Sequence, residues 1–160
     1  MTTMNFEVCR LDTGSVELMF AMLDLFGEAF DDARSYATKR PSERYLRKLL
    51  AGDSFIAVAA QQQGVIVGGI AAYELKKFEQ ERSEIYIYDL AVAAPFRRQG
   101  VATAMIEKLK EIAAARDAYV LFVQADTDED DEPAIALYSR LGTREDVLHF
   151  DIPVVRQRAT

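Results

Sequence analysis

The sequence is poor in residues that staple, ligate or anchor a chain. Its 160 residues include no Trp, one Cys and one His. Cys9 has no partner for an intramolecular disulfide, and Cys9 with His149 cannot assemble a Cys-based zinc site or a His-pair metal motif, so no metal is expected. The run of apolar residues and Gly at 65–73, which Gly64 extends by one, is far short of the ~20 residues needed to cross a bilayer. The N-terminal MTTMNFEVCR lacks the basic start and apolar core of a signal peptide, so the cytoplasm is the expected location and no membrane partner is expected. Positive charge is also scarce: 19 Lys and Arg stand against 26 Asp and Glu, a net charge of −7. Such a chain is a poor clamp for nucleic acid and better suited to a cationic partner, although the same charge also serves ordinary solubility. No internal repeat, low-complexity tract or Pro/Ser linker interrupts it.

Half of the residues are apolar and 28% are charged, an ordinary globular balance. The length fits one domain over residues 1–160, able to bury ~70% of the surface its unfolded form exposes. Residues 15–26 carry apolar positions at helical spacing, with Ser15 as N-cap, and Pro41-Ser42 opens a second helix. SFIAVAA (54–60) and VIVGGIAAYEL (65–75) predict an antiparallel hairpin, and SEIYIYDLAV (83–92) predicts a third strand. A helix from 99 to about 114, a strand at 119–125, a short helix at 133–141 and a last strand at 146–152 complete the expected order. The resulting fold class is α/β with a mixed sheet, its 83–125 unit a right-handed parallel crossover. Sites in such sheets gather at strand C-termini, here 89–102 and 126–138.

Arg97-Arg98-Gln99-Gly100-Val101-Ala102 lies between a strand and a helix. Unpaired N–H groups at a helix start, with the helix dipole behind them, bind anions, and Gly100 admits close approach. Neither a Walker loop nor a three-glycine dinucleotide fingerprint is present. Asp126 to Glu132 holds six carboxylates in seven positions; such runs are usually solvated, and this one also charges a helix N-terminus favourably.

These residues resemble a family. R-x-x-G-x-A after Leu90-Ala91-Val92 looks like the pyrophosphate loop of the GNAT superfamily of N-acetyltransferases, and Leu137-Tyr138-x-x-Leu141-Gly142 looks like its later helix. SEIYIYDLAV, with Leu23 to Gly27, Lys77 to Gln80, Gln124 to Asp126 and His149 to Asp151, is more similar to the aminoglycoside 3-N-acetyltransferases of the gentamicin-modifying type. The resemblance implies the GNAT fold, whose central mixed sheet has splayed parallel strands flanked by helices, and acetyl-CoA as cofactor. It places CoA on Leu90, Ala91 and Val92, on the loop Arg97, Arg98, Gln99, Gly100, Val101, Ala102 and Thr103, and on Tyr138. A backbone N–H near Leu90 would polarise the thioester carbonyl.

An attacking amine must shed its proton to a carboxylate, and Asp89 is favoured over Glu84. The two differ by five positions, so both face one cleft only if a β-bulge intervenes. Tyr138 takes the family position of the acid that protonates the leaving thiolate. A cationic aminoglycoside substrate would meet Asp89, Asp31, Asp32, Asp126 and Asp151. Tyr86 and Tyr88 either line the cleft or pack the sheet. His149 is read as structural, and Cys9 is given no nucleophilic role. The resemblance also implies homodimers paired through C-terminal strands. Two alternatives stay open: another acceptor (a polyamine, small metabolite or protein amine), or a non-catalytic CoA-binding regulatory module.

Overall fold

In the computed structural model, which describes residues 5–156, the chain up to Gln124 forms one compact unit and the chain from Ala125 a second, smaller one. The first unit is built on a sheet in the order β1-β2-β3-β4-β5. Its strands are β1 (Glu7–Arg10), β2 (Phe55–Gln62), β3 (Val65–Lys76), β4 (Ser83–Val92) and β5 (Ala118–Val123). Three helices accompany them: α1 (Val16–Ala29), α2 (Glu43–Ala51) and α3 (Val101–Ala114). The first four strands pair antiparallel, and β4 pairs β5 in parallel with α3 between them in the chain, so the sheet is mixed as expected. β1 escapes a reading by periodicity because four residues, EVCR, are too short to show alternation.

Local chemistry accounts for the helix starts. Ser42 accepts the Tyr45 N–H at 3.1 Å as an N-cap side chain. Ser15 holds the N-cap position of α1, but its hydroxyl donates to Asp12 instead, at 3.1 Å. Two adjacent glycines show how the helices sandwich β3. A Cβ on Gly68 would meet Val101 and Met105 of α3, and one on Gly69 would meet Met22 of α1. Each helix therefore packs directly against backbone on its own face of the sheet. Behind α3, the buried Glu74 is held by the Ser83 hydroxyl at 2.8 Å and by Arg116 at 2.5 Å, which anchors the start of β4.

Two irregularities in β4 position everything that follows. In the ladder to β3, Ala71 pairs with Asp89 but Ala72 pairs with Ile87, leaving Tyr88 as the extra, bulged residue. On the other side, pairing to β5 ends at Ile87↔Val123, while β4 runs on to Val92. The two parallel strands part there, leaving one edge of β4 without a strand.

In the second unit a helical turn at Glu129–Asp131 leads into α4 (Glu132–Leu141), with Pro133 in its first turn. The expected strand at 146–152 is not formed. Residues 143–156 are irregular and exposed, with no backbone ladder among the described residues. Their alternating apolar pattern is that of a strand, but a strand exists only where a partner satisfies its N–H and C=O groups.

Gly68→Val is expected to destabilise the fold by about 1–3 kcal/mol through overpacking against Val101. The urea midpoint, at unchanged m-value, measures this.

Candidate active site

The bulge decides where Asp89 points. Ala71, Tyr73 and Leu75 alternate on one face of β3, and their β4 partners are Asp89, Tyr86 and Glu84. Glu84 and Asp89 thus share a face, as the bulge requires, but they lie about 15 Å apart along the strand. They serve different surroundings.

Asp89 lines a cleft of about 190 Å³ between the sheet and α1 and α2, walled mainly by Met19, Met22, Phe26, Tyr45, Phe55 and Tyr73. Its Oδ1 accepts a hydrogen bond from the Tyr36 hydroxyl at 3.0 Å. Burial raises the Asp89 carboxyl above the usual carboxylate range, and the Tyr36 hydrogen bond partly offsets this. A carboxylate so shifted binds a proton more firmly than a solvated one, the direction a base for an ammonium needs. Burial, and then the charge of Asp89, pushes the Tyr36 phenol well above its ordinary value. Tyr73 is raised by the same two causes.

Tyr36 sits on a π-helical turn, Arg34–Thr38, just after α1. Asp32 accepts the Ser35 N–H at 3.1 Å, and its carboxyl is lowered by its hydrogen bonds to Ser35. Asp31 makes the bend into this turn at φ +50°. The two acidic residues assigned to substrate therefore shape the turn that carries Tyr36; Asp31 remains exposed.

Glu84 accepts a hydrogen bond from the Tyr119 hydroxyl and lies 3.9 Å from the Lys77 ammonium. The Arg82 guanidinium stacks 3.9 Å above the same Tyr119 ring. Tyr86 stacks on Phe122 at 4.7 Å and donates to Gln124, so it packs the sheet. The bulged Tyr88 is exposed, with Tyr73 and Tyr86 ring edges beside it.

After β4 the chain turns through Ala94–Phe96 and reaches Gly100, the N-cap of α3, at φ +83°. Arg98 is also left-handed, at φ +57°. Arg97 Nε donates to the Val92 carbonyl at 3.1 Å and Gln99 donates to the Pro95 carbonyl at 2.9 Å, so both side chains brace the loop. Arg98 has no such partner among the described residues. Val101, Ala102 and Thr103 begin α3, whose first intrahelical donor is Ala104, to Gly100 at 3.0 Å. Leu90 and Val92 are half-buried and Ala91 is buried on the free stretch of β4.

In the second unit, burial and the Asp131 charge push the Tyr138 phenol up to about 12. Asp126 donates its N–H to Asp131 at 2.7 Å, and the exposed Asp151 pairs with His149 at 2.9 Å. Cys9 lies on β1 with Gln61 Nε2 3.5 Å from its sulfur, consistent with a packing role.

Sequence reasoning missed Tyr36, Tyr45 and Tyr73. Tyr73 stood in a recognised strand four residues beyond the Gly68-Gly69 pair, but Tyr36 lies in a polar stretch with no periodicity to mark it.

Parted parallel strands, a helix N-terminus beside them and a half-buried carboxylate suit an acyl-transfer enzyme, and the acetyltransferase (GNAT) family profile matches residues 19–143. The chain belongs to that family. It is similar, at 65% identity and a TM-score of 0.94, to the aminoglycoside acetyltransferase HMB0005 from an uncultured soil metagenomic sample, over 95% of this chain and 100% of that one. It also matches the aminoglycoside acetyltransferase meta-AAC0020 from an uncultured soil metagenomic sample, solved in complex with sisomicin, at 28% identity and a TM-score of 0.83, over 93% of this chain and 96% of that one. An aminoglycoside acetyltransferase, AAC(6')-Iy, in complex with CoA shares the fold at 15% identity and a TM-score of 0.72, over 92% of this chain and 95% of that one. A comparison with curated protein sequences found no match.

Because burial raises the Asp89 carboxyl, ionising it opposes folding, and that cost appears as pH rises through its folded pKa. Asp89→Asn is therefore expected to raise Tm at pH 7.5. The gain should vanish below about pH 3, where the carboxyl is protonated in both states. Calorimetry across that range checks both signs.

Proposed function

We propose that this chain is an acetyl-CoA-dependent aminoglycoside N-acetyltransferase that modifies the 3-amino group of gentamicin-type aminoglycosides and so confers resistance in the cytoplasm. The observation that carries the reading is Asp89: a half-buried carboxylate with a raised pKa, placed by the Tyr88 bulge where β4 leaves β5. The 65% identity to one aminoglycoside acetyltransferase and the sisomicin complex of another support the acceptor class.

The residues present fit the cofactor. The space where a Gly100 Cβ would stand is empty, so a phosphate can approach the backbone there. The free N–H groups of Val101, Ala102 and Thr103, with Arg98 beside them, suit a pyrophosphate. The edge of β4 from Leu90 to Val92 offers backbone groups to an extended arm. When bound, acetyl-CoA supplies the acetyl group as an activated thioester.

Asp89 takes a proton from the acceptor ammonium and leaves a neutral amine able to attack. Tyr138, with its pKa near 12, keeps its proton through the working range. Against a thiol of pKa about 8.5, outright transfer from such a phenol is uphill, so Tyr138 acts as a hydrogen-bond donor to the departing sulfur. Glu84, already engaged by Lys77 and Tyr119, stands in reserve. Asp31, Asp32, Asp126 and Asp151 are the further carboxylates proposed to bind a polycationic acceptor.

One observation favours a second acceptor class. Among its lining residues the cleft has a single carboxylate, which suits one ammonium rather than several, so another primary amine is the alternative substrate.

We also propose that a second copy of this chain covers the C-terminal segment. Leu148, Phe150, Ile152 and Val154 alternate there with exposures between 76% and 92%. Sedimentation should show a dimer that Phe150→Asp with Ile152→Asp converts to monomer.

Thiol release from acetyl-CoA, with gentamicin, spermidine and a Lys-containing peptide offered separately, tests the function. Release with gentamicin alone is expected. Release only with another amine refutes the resistance reading and keeps the enzyme class. Asp89→Asn should lower kcat by about 10²–10⁴-fold with CoA affinity unchanged. Tyr138→Phe should lower kcat without moving the pH profile between 6 and 10.

A further inference from the structure

We propose that Tyr36 is a positioning residue for the transfer reaction: its hydroxyl pins Oδ1 of Asp89, leaving Oδ2 as the oxygen that meets the acceptor amine. The proposal rests on the reading of Asp89 as the group that deprotonates that amine.

The contact is long-range and built. Tyr36 and Asp89 are 53 positions apart, and their side chains meet at 3.0 Å. The ring of Tyr36 occupies a socket made by the end of α1. Phe26 presents an edge-on ring at 6.0 Å and Phe30 a tilted ring at 5.7 Å. Gly27 lies beneath it, and a Cβ there would come within 3.3 Å of the Tyr36 Cβ. The turn is closed by the Asp32 cap on Ser35. A phenylalanine would satisfy the ring packing equally well, so the hydroxyl is the part the packing does not explain. It points at a carboxylate in the cleft wall.

A carboxylate held at one oxygen no longer rotates freely, and its second oxygen keeps a defined direction. Asp89 Oδ2 has no hydrogen-bond partner among the described residues. Proton transfer there is balanced: the ammonium gives one proton to Oδ2, becoming a neutral amine as the carboxylate becomes a carboxylic acid. Tyr36 must remain a donor throughout, and its raised pKa keeps it protonated. Its hydrogen bond also favours the ionised form of Asp89 against burial. The other titratable groups around the pair are Tyr45 from α2, Tyr73 from β3, Tyr86 and Tyr88 from β4, and Asp32 and Arg34 from the turn itself. The cleft lining contains no Lys, Arg or His.

The test compares wild type, Tyr36→Phe and Asp89→Asn. Carboxyl NMR titration of Asp89, assigned by the signal missing in Asp89→Asn, needs no substrate. In Tyr36→Phe its midpoint should move up. With acetyl-CoA and gentamicin, kcat should fall about tenfold, the loss expected for one hydrogen bond made to a charged group. The acid limb of kcat/KM should move to higher pH, and KM for acetyl-CoA should stay the same. An unmoved midpoint, or a pH–rate profile that superimposes on wild type, overturns the proposal. If Asp89→Asn is inactive while Tyr36→Phe turns over like wild type, positioning alone fails. If Asp89→Asn keeps full turnover, the reading of Asp89 as base fails and takes the proposal with it. Circular dichroism of Tyr36→Phe, which keeps the ring, separates loss of the hydroxyl from loss of the fold.

Discussion

One extra residue in β4 sets up the rest of the site. Without the bulge at Tyr88, strand alternation would put Asp89 on the face with Ile85 and Ile87, which are buried in the core. An ionisable group there would have no open space beside it. With the bulge, Asp89 turns to the α1 and α2 face, where a cleft is available. The bulge falls where β4 loses β5 as a neighbour, so one break in regularity both re-aims a carboxylate and marks the start of an unpaired strand edge.

The surroundings of Asp89 cost stability and raise its affinity for a proton. Methionine, phenylalanine and tyrosine side chains remove water from the carboxylate and raise its proton affinity, and the Tyr36 hydrogen bond partly offsets that rise. A fully solvated Asp would be easier to bury beside but a weaker base for an ammonium. The site therefore depends on an apolar wall from α1 and α2 at least as much as on its charged group, and α1 supplies both that wall and the socket for Tyr36.

The anion loop shows a division of labour that residue types alone do not reveal. Arg97 and Gln99 look like ligands by composition, yet their side chains hold the loop's own carbonyls at Val92 and Pro95. The backbone N–H groups at the start of α3 are left without intrahelical acceptors, and the Arg98 side chain has no hydrogen-bond partner among the described residues.

Residue pattern made most of the regular elements legible. Apolar runs on either side of a turn marked β2 and β3, a β-branched and aromatic run marked β4, and the apolar stripe of α3 and the Pro and Gly signals of α4 marked those helices. Residue pattern also marked the R-x-x-G-x-A loop and Asp89 as places for chemistry. Four residues were too few to show β1, and the alternation at 146–152 marked strand capacity without a partner to realise it. The position of the bulge, the meeting of Tyr36 with Asp89 and the capture of Glu84 by Lys77 and Tyr119 belong to tertiary structure alone. Each depends on groups far apart in the chain being brought within a few ångströms, and on register, which the facing strand decides. The local sequence determines which residues are able to act; packing decides which of them face one another.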